Sequence, residues 1–159
     1  SDGSPNPWDG GGGSLNMTGG GNMCDGNWHH VAVVRNGSGS GNMKTYLDGT
    51  NTQSATYTTA MSPNSGSPRP RIGSYNGTAG RLSGSGHVNN VRLTIGQALY
   101  TSNFTKPTQN LTTTSQGATA SNVKLLCCQG PSPLYAEKIA SGTIITTDHG
   151  GCGPGPFYT

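Results

Sequence analysis

The densest apolar stretch of the chain is Trp28-His29-His30-Val31-Ala32-Val33-Val34-Arg35, bounded by Asn36-Gly37. Aromatic and β-branched residues before a turn dipeptide predict a strand. Apolar residues fall on both alternating faces, which predicts a central strand covered on two sides. On that reading Val33→Asp should prevent folding, because an unpaired buried carboxylate is costly. A polar Gly/Ser connection over 36–42 leads to a second strand, Met43–Leu47. Asp48-Gly49 then supplies the positive φ values of a two-residue hairpin turn, and Thr52–Thr58 reads as the return strand. Residues 28–58 thus predict three antiparallel strands.

The rest of the chain is sparser. Arg71–Tyr75 is a short strand closed by Asn76-Gly77, after a loop carrying Pro63, Pro68 and Pro70. His87–Ile95 is stronger: Val91, Leu93 and Ile95 alternate with Asn90, Arg92 and Thr94. Val88 is out of phase with that apolar face, which predicts a bulge or twist near Asn89-Asn90. Ala98, Leu99, Tyr100, Phe104 and Pro107 form a packed, irregular segment, and 112–120 is polar loop. Val123–Cys127 is a strand and Thr143–Thr146 a weak last one. No segment keeps a helical period.

Composition sharpens this picture. Glycine accounts for 27 of 159 residues, against nine Leu, five Ile, six Val and two Phe. So few large apolar groups bring disorder into view, but charged residues are only 9% and the net charge is +3, so no charge holds the chain open. Many short strands joined by tight turns fit such a chain; long helices do not. Gly10–Gly13 and Gly19–Gly21 make residues 1–26 a loop-rich segment. The longest aliphatic run is Val31–Val34, too short for a spanning helix, so no membrane insertion is expected. No basic start precedes an apolar stretch, so no signal peptide is expected, and a first residue Ser1 suggests a processed product or a portion of a longer protein. Scattered Lys and Arg argue against a nucleic-acid partner.

Two motifs carry a resemblance. Asn27-Trp28-His29-His30-Val31-Ala32-Val33-Val34-Arg35-Asn36-Gly37 followed by Tyr46-Leu47-Asp48-Gly49 resembles the central hairpin of laminin-G-like domains of the concanavalin A-like superfamily. Val88–Thr108 resembles the strand and Pro-terminated tail of the same family, and Val123–Gln129 is similar to the ending of a sub-group found in marine bacteriophage fibre and virion proteins. The resemblance covers residues 27–130. It implies an all-β, concanavalin A-like (laminin-G-like) jelly-roll sandwich, with a Gly-rich segment at 1–26 and a Gly/Pro-rich tail with a weak strand at 131–159. It also implies that Trp28, His30, Val31, Val33, Asp48, Gly49, Val91, Leu93, Tyr100, Phe104 and Pro107 define the fold. Two departures stand out. Asn89-Asn90 replaces an acidic pair common in the family, and only 27 mostly glycine-rich residues precede Trp28, so the front of the jelly roll is expected to be missing, shortened or supplied from elsewhere.

The chemistry available is limited. Glycoside hydrolysis needs two carboxyls at a set separation. The acidic residues here are Asp2, Asp9, Asp25, Asp48, Glu137 and Asp148, and no two lie within five positions. An enzyme is therefore not expected. His29 and His30 are neighbours on a strand and point to opposite faces, so one ring should pack inside and the other lie at the surface, with no shared metal. Asp48 fits a turn residue better than a calcium ligand. Cys24, Cys127, Cys128 and Cys152 admit free thiols, a disulfide or a weak zinc set, with free or packing thiols preferred. A Cys127–Cys128 bridge is disfavoured, since adjacent Cα atoms lie ~3.8 Å apart; one of the pair should be buried and the other face outward. Asn16, Asn36, Asn76, Asn103 and Asn110 each begin a glycosylation acceptor sequence that matters only in a eukaryotic secreted context.

The expectation is a non-catalytic structural or adhesion module of a virion: a tail fibre, appendage or capsid-decorating protein. The alternative is a carbohydrate-binding lectin-type module of a secreted or cell-surface protein. Trp8, Tyr57 and Tyr75, with Asn64 and Asn76 beside them, are the candidate sugar-binding residues. No cofactor is expected. Expected partners are other virion proteins or copies of the chain itself, with a host-surface glycan as a further candidate. A thin apolar core and uncovered strand edges predict an oligomer.

Overall fold

The computed structural model describes residues 25–58, 87–129 and 136–139. The described chain is antiparallel β-structure: β1 (Val31–Arg35), β2 (Met43–Leu47), β3 (Thr50–Ala55), β4 (Val91–Thr94), β5 (Val123–Cys127) and β6 (Ala136–Ile139), with one 3-10 turn at Ser115–Gly117. They fall into two compact units. One holds β1–β3 and Gln97–Pro107; the other holds β4–β6 and the chain from Thr108.

In the first unit the strand order is β1-β2-β3. β1 pairs with β2 in unbroken register from Val31↔Leu47 to Arg35↔Met43. Asp48 (φ 49°) and Gly49 (φ 86°) then turn the chain into β3. Two successive positive φ values are the signature of the hairpin turn that Asp-Gly favours. β3 begins at Thr50, directly after the turn, and Thr52 stands opposite no β2 residue, making a bulge. The 97–107 segment packs on this sheet. Val34, Tyr46 and Tyr100 form the buried core, with Ala32, Ala98, Leu99 and Phe104 against them. The Tyr100 and Phe104 rings stack at 3.7 Å, while Tyr46 and His30 present edges to Phe104 at 5.4 and 5.7 Å. The Phe104 N–H donates to the Gly49 carbonyl at 2.9 Å, tying the segment to the turn.

The expectation for β1 needs correction. β2 is the central strand; β1 is at the sheet edge among the described residues, and it starts at Val31 rather than Trp28. Val31 and Val33 are each 41% exposed and Trp28 is 36% exposed, whereas Val34 is buried. The Ala32/Val34 face meets the aromatic segment; the opposite face does not. An apolar residue on each face showed that the strand could be covered twice, and only one covering materialises. Val33→Asp is therefore not a folding lesion.

In the second unit the order is β4-β5-β6. Val91, Arg92, Leu93 and Thr94 pair with Cys127, Leu126, Leu125 and Val123. Asn90 adopts φ 61° and ends β4, its N–H donating to the Cys128 carbonyl at 2.9 Å. The irregularity anticipated at Asn89-Asn90 is this left-handed residue, and Val88 beyond it makes only an isolated bridge. Val123, Leu126 and Cys127 are fully buried. Val91 and Leu125 pack on Cys127 and Cys128. Leu93 and Ile95, expected on the buried face, are 45% and 56% exposed. Arg92 anchors the polar 112–117 loop by donating to the Thr112 carbonyl (3.0 Å), the Ser115 carbonyl (2.8 Å) and Ser115 Oγ (3.1 Å). β6 was not anticipated; the strands expected at Arg71–Tyr75 and Thr143–Thr146 lie outside the described residues.

The cysteine pair also departs from expectation. Cys127 and Cys128 are both buried, because Cys128 has left the strand with φ 61° and no longer alternates. Their sulfurs lie 3.6 Å apart and are not bonded to each other. Cys127 is a free thiol and Cys128 is disulfide-bonded, with its partner outside the described residues.

Candidate functional site

The first unit carries a shallow, open depression of about 180 Å³. Its apolar lining comes from Val34 and Tyr100, and its polar lining from Asn36, Ser40, Asn42, Lys44 and Thr101. Strand register explains why these meet. Val34 and Lys44 are direct partners across β1–β2, and the 36–42 connection closes over the same end of the hairpin. Asn42 is 5% exposed and sets the rim. Its Nδ2 donates to the carbonyls of Gly37 (2.7 Å) and Tyr57 (2.8 Å), and its Oδ1 accepts the Tyr57 N–H at 2.7 Å. One side chain thus fixes the loop and the strand exit together. Lys44 Nζ donates to the Thr101 carbonyl at 2.7 Å, pinning the far wall. The result is an open concavity of amide, hydroxyl and ammonium groups beside a tyrosine ring, chemistry suited to holding a polyhydroxylated ligand. Among the described residues no carboxylate lines it.

A second polar cluster lies at the opposite end of the same hairpin. His29 Nδ1 is 2.8 Å from Asp48 Oδ2, and His29 Nε2 is 3.1 Å from Asp25 Oδ1. With a carboxylate facing each nitrogen, the doubly protonated imidazole can donate to both, so the site favours the cation. The Asp48 bond, then the Asp25 bond, raises the His29 pKa above its usual 6.5. Partial burial works to raise Asp48, but the His30 N–H, His29 and Lys106 outweigh it and leave that carboxyl lowered. Lys106 Nζ sits 3.2 Å from Asp48 Oδ1, which also accepts the His30 N–H at 2.9 Å. Asp25 is lowered chiefly by Asn27, which donates from both its side chain and its backbone, and then by His29. Both carboxylates are therefore engaged. Asp48 is a turn residue, as expected, and also a clamp on the strand before it and the segment after it. The His30 ring turns inward against Tyr100 and Phe104, while His29 is held in this half-buried ion cluster.

Of the sugar-binding candidates, Trp8, Asn64, Tyr75 and Asn76 lie outside the described residues. Tyr57 is half-buried; its ring lies 5.3 Å from the Arg35 guanidinium, and its backbone is tied to Asn42. Tyr57 therefore supports the depression from behind its rim. Among the described residues no group of three or more His, Cys, Asp or Glu side chains could hold a metal ion. Asn42 and Lys44 were not singled out from sequence. A buried amide between two strands was the available signal, but Thr101 and Tyr100 arrive from 57 positions away, which no local pattern reveals.

Residues 3–98, more than half the chain, match the laminin-G-like family described as the concanavalin A-like lectin/glucanases superfamily. The chain belongs to that superfamily. No curated protein and no solved structure matches it. The matched span starts within the glycine-rich segment, ahead of the motifs at Asn27, and ends at Ala98. It contains β1–β4 and the polar residues of the depression other than Thr101. Superfamily membership accounts for the all-β, antiparallel architecture and fits a lectin-like or adhesion module. The superfamily also includes glucanases, so membership alone does not fix an activity.

Proposed function

We propose that this chain is a non-catalytic adhesion module displayed on the outside of a virion, contacting a surface glycan through the Val34–Asn42–Lys44–Tyr100 depression. The observation that carries the binding reading is the lining itself. Asn36, Ser40 and Lys44 beside a tyrosine offer hydrogen-bonding groups to a sugar, and among the described residues no carboxylate pair lies there to support glycoside hydrolysis. The virion reading is supported by the likeness of Val123–Gln129 to phage fibre endings, and the disulfide at Cys128 suits a protein that works in an oxidising exterior. The same disulfide equally favours the second reading, a lectin-type module of a secreted or cell-surface protein.

The test is a glycan array probed with the full chain, run beside Ser40→Trp. Ser40 is exposed on the rim, so the indole fills the depression without entering the core. The wild type should retain at least one glycan class, release no reducing ends from it, and lose it in the Ser40→Trp variant. Binding untouched by that variant would move the site elsewhere. Peptide mapping of purified particles separates the virion reading from the secreted one.

A further inference from the structure

We infer that β1 is a self-association edge, pairing antiparallel with β1 of a second copy about a twofold axis at Val33. In an antiparallel pair, successive residues direct their backbone groups alternately toward and away from the partner. The Asp48 N–H donates to the His30 carbonyl and the Asn36 N–H to the Asn42 carbonyl, both at 2.8 Å. These contacts flank β1 and fix the phase: His30, Ala32, Val34 and Asn36 face β2. Val31, Val33 and Arg35 therefore turn their N–H and C=O groups outward, and among the described residues nothing pairs with them.

The side chains of the same three residues share one face of the sheet. Val31 and Val33 are 41% exposed there. Arg35 is folded back, Nε donating to the Gly37 carbonyl (3.1 Å) and a terminal nitrogen to the Tyr57 carbonyl (3.2 Å), so its charge does not guard the edge. The other edges are less inviting. β3 and β6 each carry an extra, unpaired residue, and β4 has only four residues with Arg92 among them. β1 has unbroken register and neither proline, bulge nor inward charge, the devices that normally blunt an edge.

A second copy fits this edge in one register. Centring the pair on Val33 sets Val33 opposite itself and Val31 opposite Arg35 of the partner. Every outward-facing residue then meets an outward-facing residue, so all the free groups of β1 are used at once. The two valine pairs merge into one apolar stripe. The two Arg35 residues stand at opposite ends, four residues or about 14 Å apart, beyond the ~8 Å screening length at physiological salt. The edge is complementary to itself in hydrogen bonding, apolar pattern and charge, as a twofold interface requires. Val34 points to the other face, so the pairing leaves the glycan depression open. The inference rests on the structure of β1 and does not depend on the adhesion reading.

The full chain is examined by analytical ultracentrifugation over a dilution series, and Val33→Cys and Val31→Cys are oxidised mildly. Residues paired this way have Cα atoms about 5.5 Å apart, within the disulfide range of roughly 4.4–6.8 Å. The wild type should dimerise with concentration. Val33→Cys should cross-link to itself at position 33, while Val31→Cys should not. Val33→Lys, which opposes two ammonium groups, should weaken the dimer at least tenfold, with an unchanged melting temperature at concentrations where the wild type is monomeric. A wild type monomeric throughout, failure of Val33→Cys to cross-link, equal cross-linking of Val31→Cys, or a Val33→Lys dimer of undiminished affinity overturns the inference. A monomer that still binds glycan overturns it alone.

Discussion

Substituting Gly49 by alanine probes the contact that joins the hairpin to the aromatic segment. Gly49 adopts φ 86°, and a Cβ placed on it would overlap the Phe104 carbonyl. The first cost is conformational: an L-residue held in the left-handed region loses roughly 1–2 kcal/mol relative to glycine. The second is steric and cannot be relieved by a rotamer change, because the obstacle is backbone. Residues 103–105 must move away from the turn. That movement breaks the Phe104 N–H to Gly49 carbonyl bond, about 1 kcal/mol. It also loosens Phe104 from Tyr46, Tyr100 and His30, a further ~1–2 kcal/mol out of the 1.5–3 expected for full burial of such a side chain. The total is about 3–5 kcal/mol, a large share of the stability of a small domain. Gly37→Ala is the matched control: φ is 70° and a Cβ there meets nothing within 4 Å, so only the first cost applies. Urea unfolding followed by tyrosine and tryptophan fluorescence measures both. The two variants should differ by about 2–3 kcal/mol, all of it owed to Phe104. Equal losses would refute the contact.

Val34→Asp should cost at least ~3 kcal/mol, because it buries a carboxylate in the Tyr46–Tyr100 cluster, while Val33→Asp should cost little; thermal melts of the two variants decide it. The His29 cluster should give stability a defined pH window. His29 is raised, so its contribution is complete below its unfolded value of 6.5 and is lost as pH rises through the higher folded value. Asp25 and Asp48 are lowered, so theirs is present above 3.8 and lost as pH falls through the folded values. NMR titration should find His29 protonating above 6.5, with Asp48→Asn bringing the midpoint down; a midpoint unmoved by that change would count against the cluster. Tyr46→Phe should leave stability unchanged or raise it by up to ~1 kcal/mol, since the Tyr46 side chain is fully buried and its hydroxyl has no partner among the described residues; a loss of that size in urea melts would reveal a bond.

What could be read from the sequence divides along a physical line. The β1–β2–β3 meander, the Asp48-Gly49 turn and β5 follow from local causes: β-branched content, a dipeptide that tolerates positive φ, and short polar connections. Each acts within a few residues, so pattern alone suffices. Burial did not follow in the same way. Val31, Val33 and Leu93 occupy apolar phases of real strands, and Ile95 follows β4 in the same phase, yet what covers a sheet face is decided by distant chain. Tyr100 and Phe104 cover the Ala32/Val34 side of β1 and nothing described covers the other. Hydrophobic alternation states which face could be buried, and only tertiary packing states whether it is. The polar groups show the same division more strongly. Asn42, Lys44 and His29 look like ordinary surface residues, and their roles depend on Tyr57, Thr101, Asp25 and Asp48 arriving at hydrogen-bond distance. Of the six acidic residues, none lies close to another in sequence, yet folding delivers Asp25 and Asp48 to the two nitrogens of one imidazole. That juxtaposition neutralises charge and fixes a turn. With both carboxylates committed to holding the hairpin, this end of the unit serves stability, and the recognition proposed above is assigned to the concave end that Asn36, Ser40 and Thr101 line.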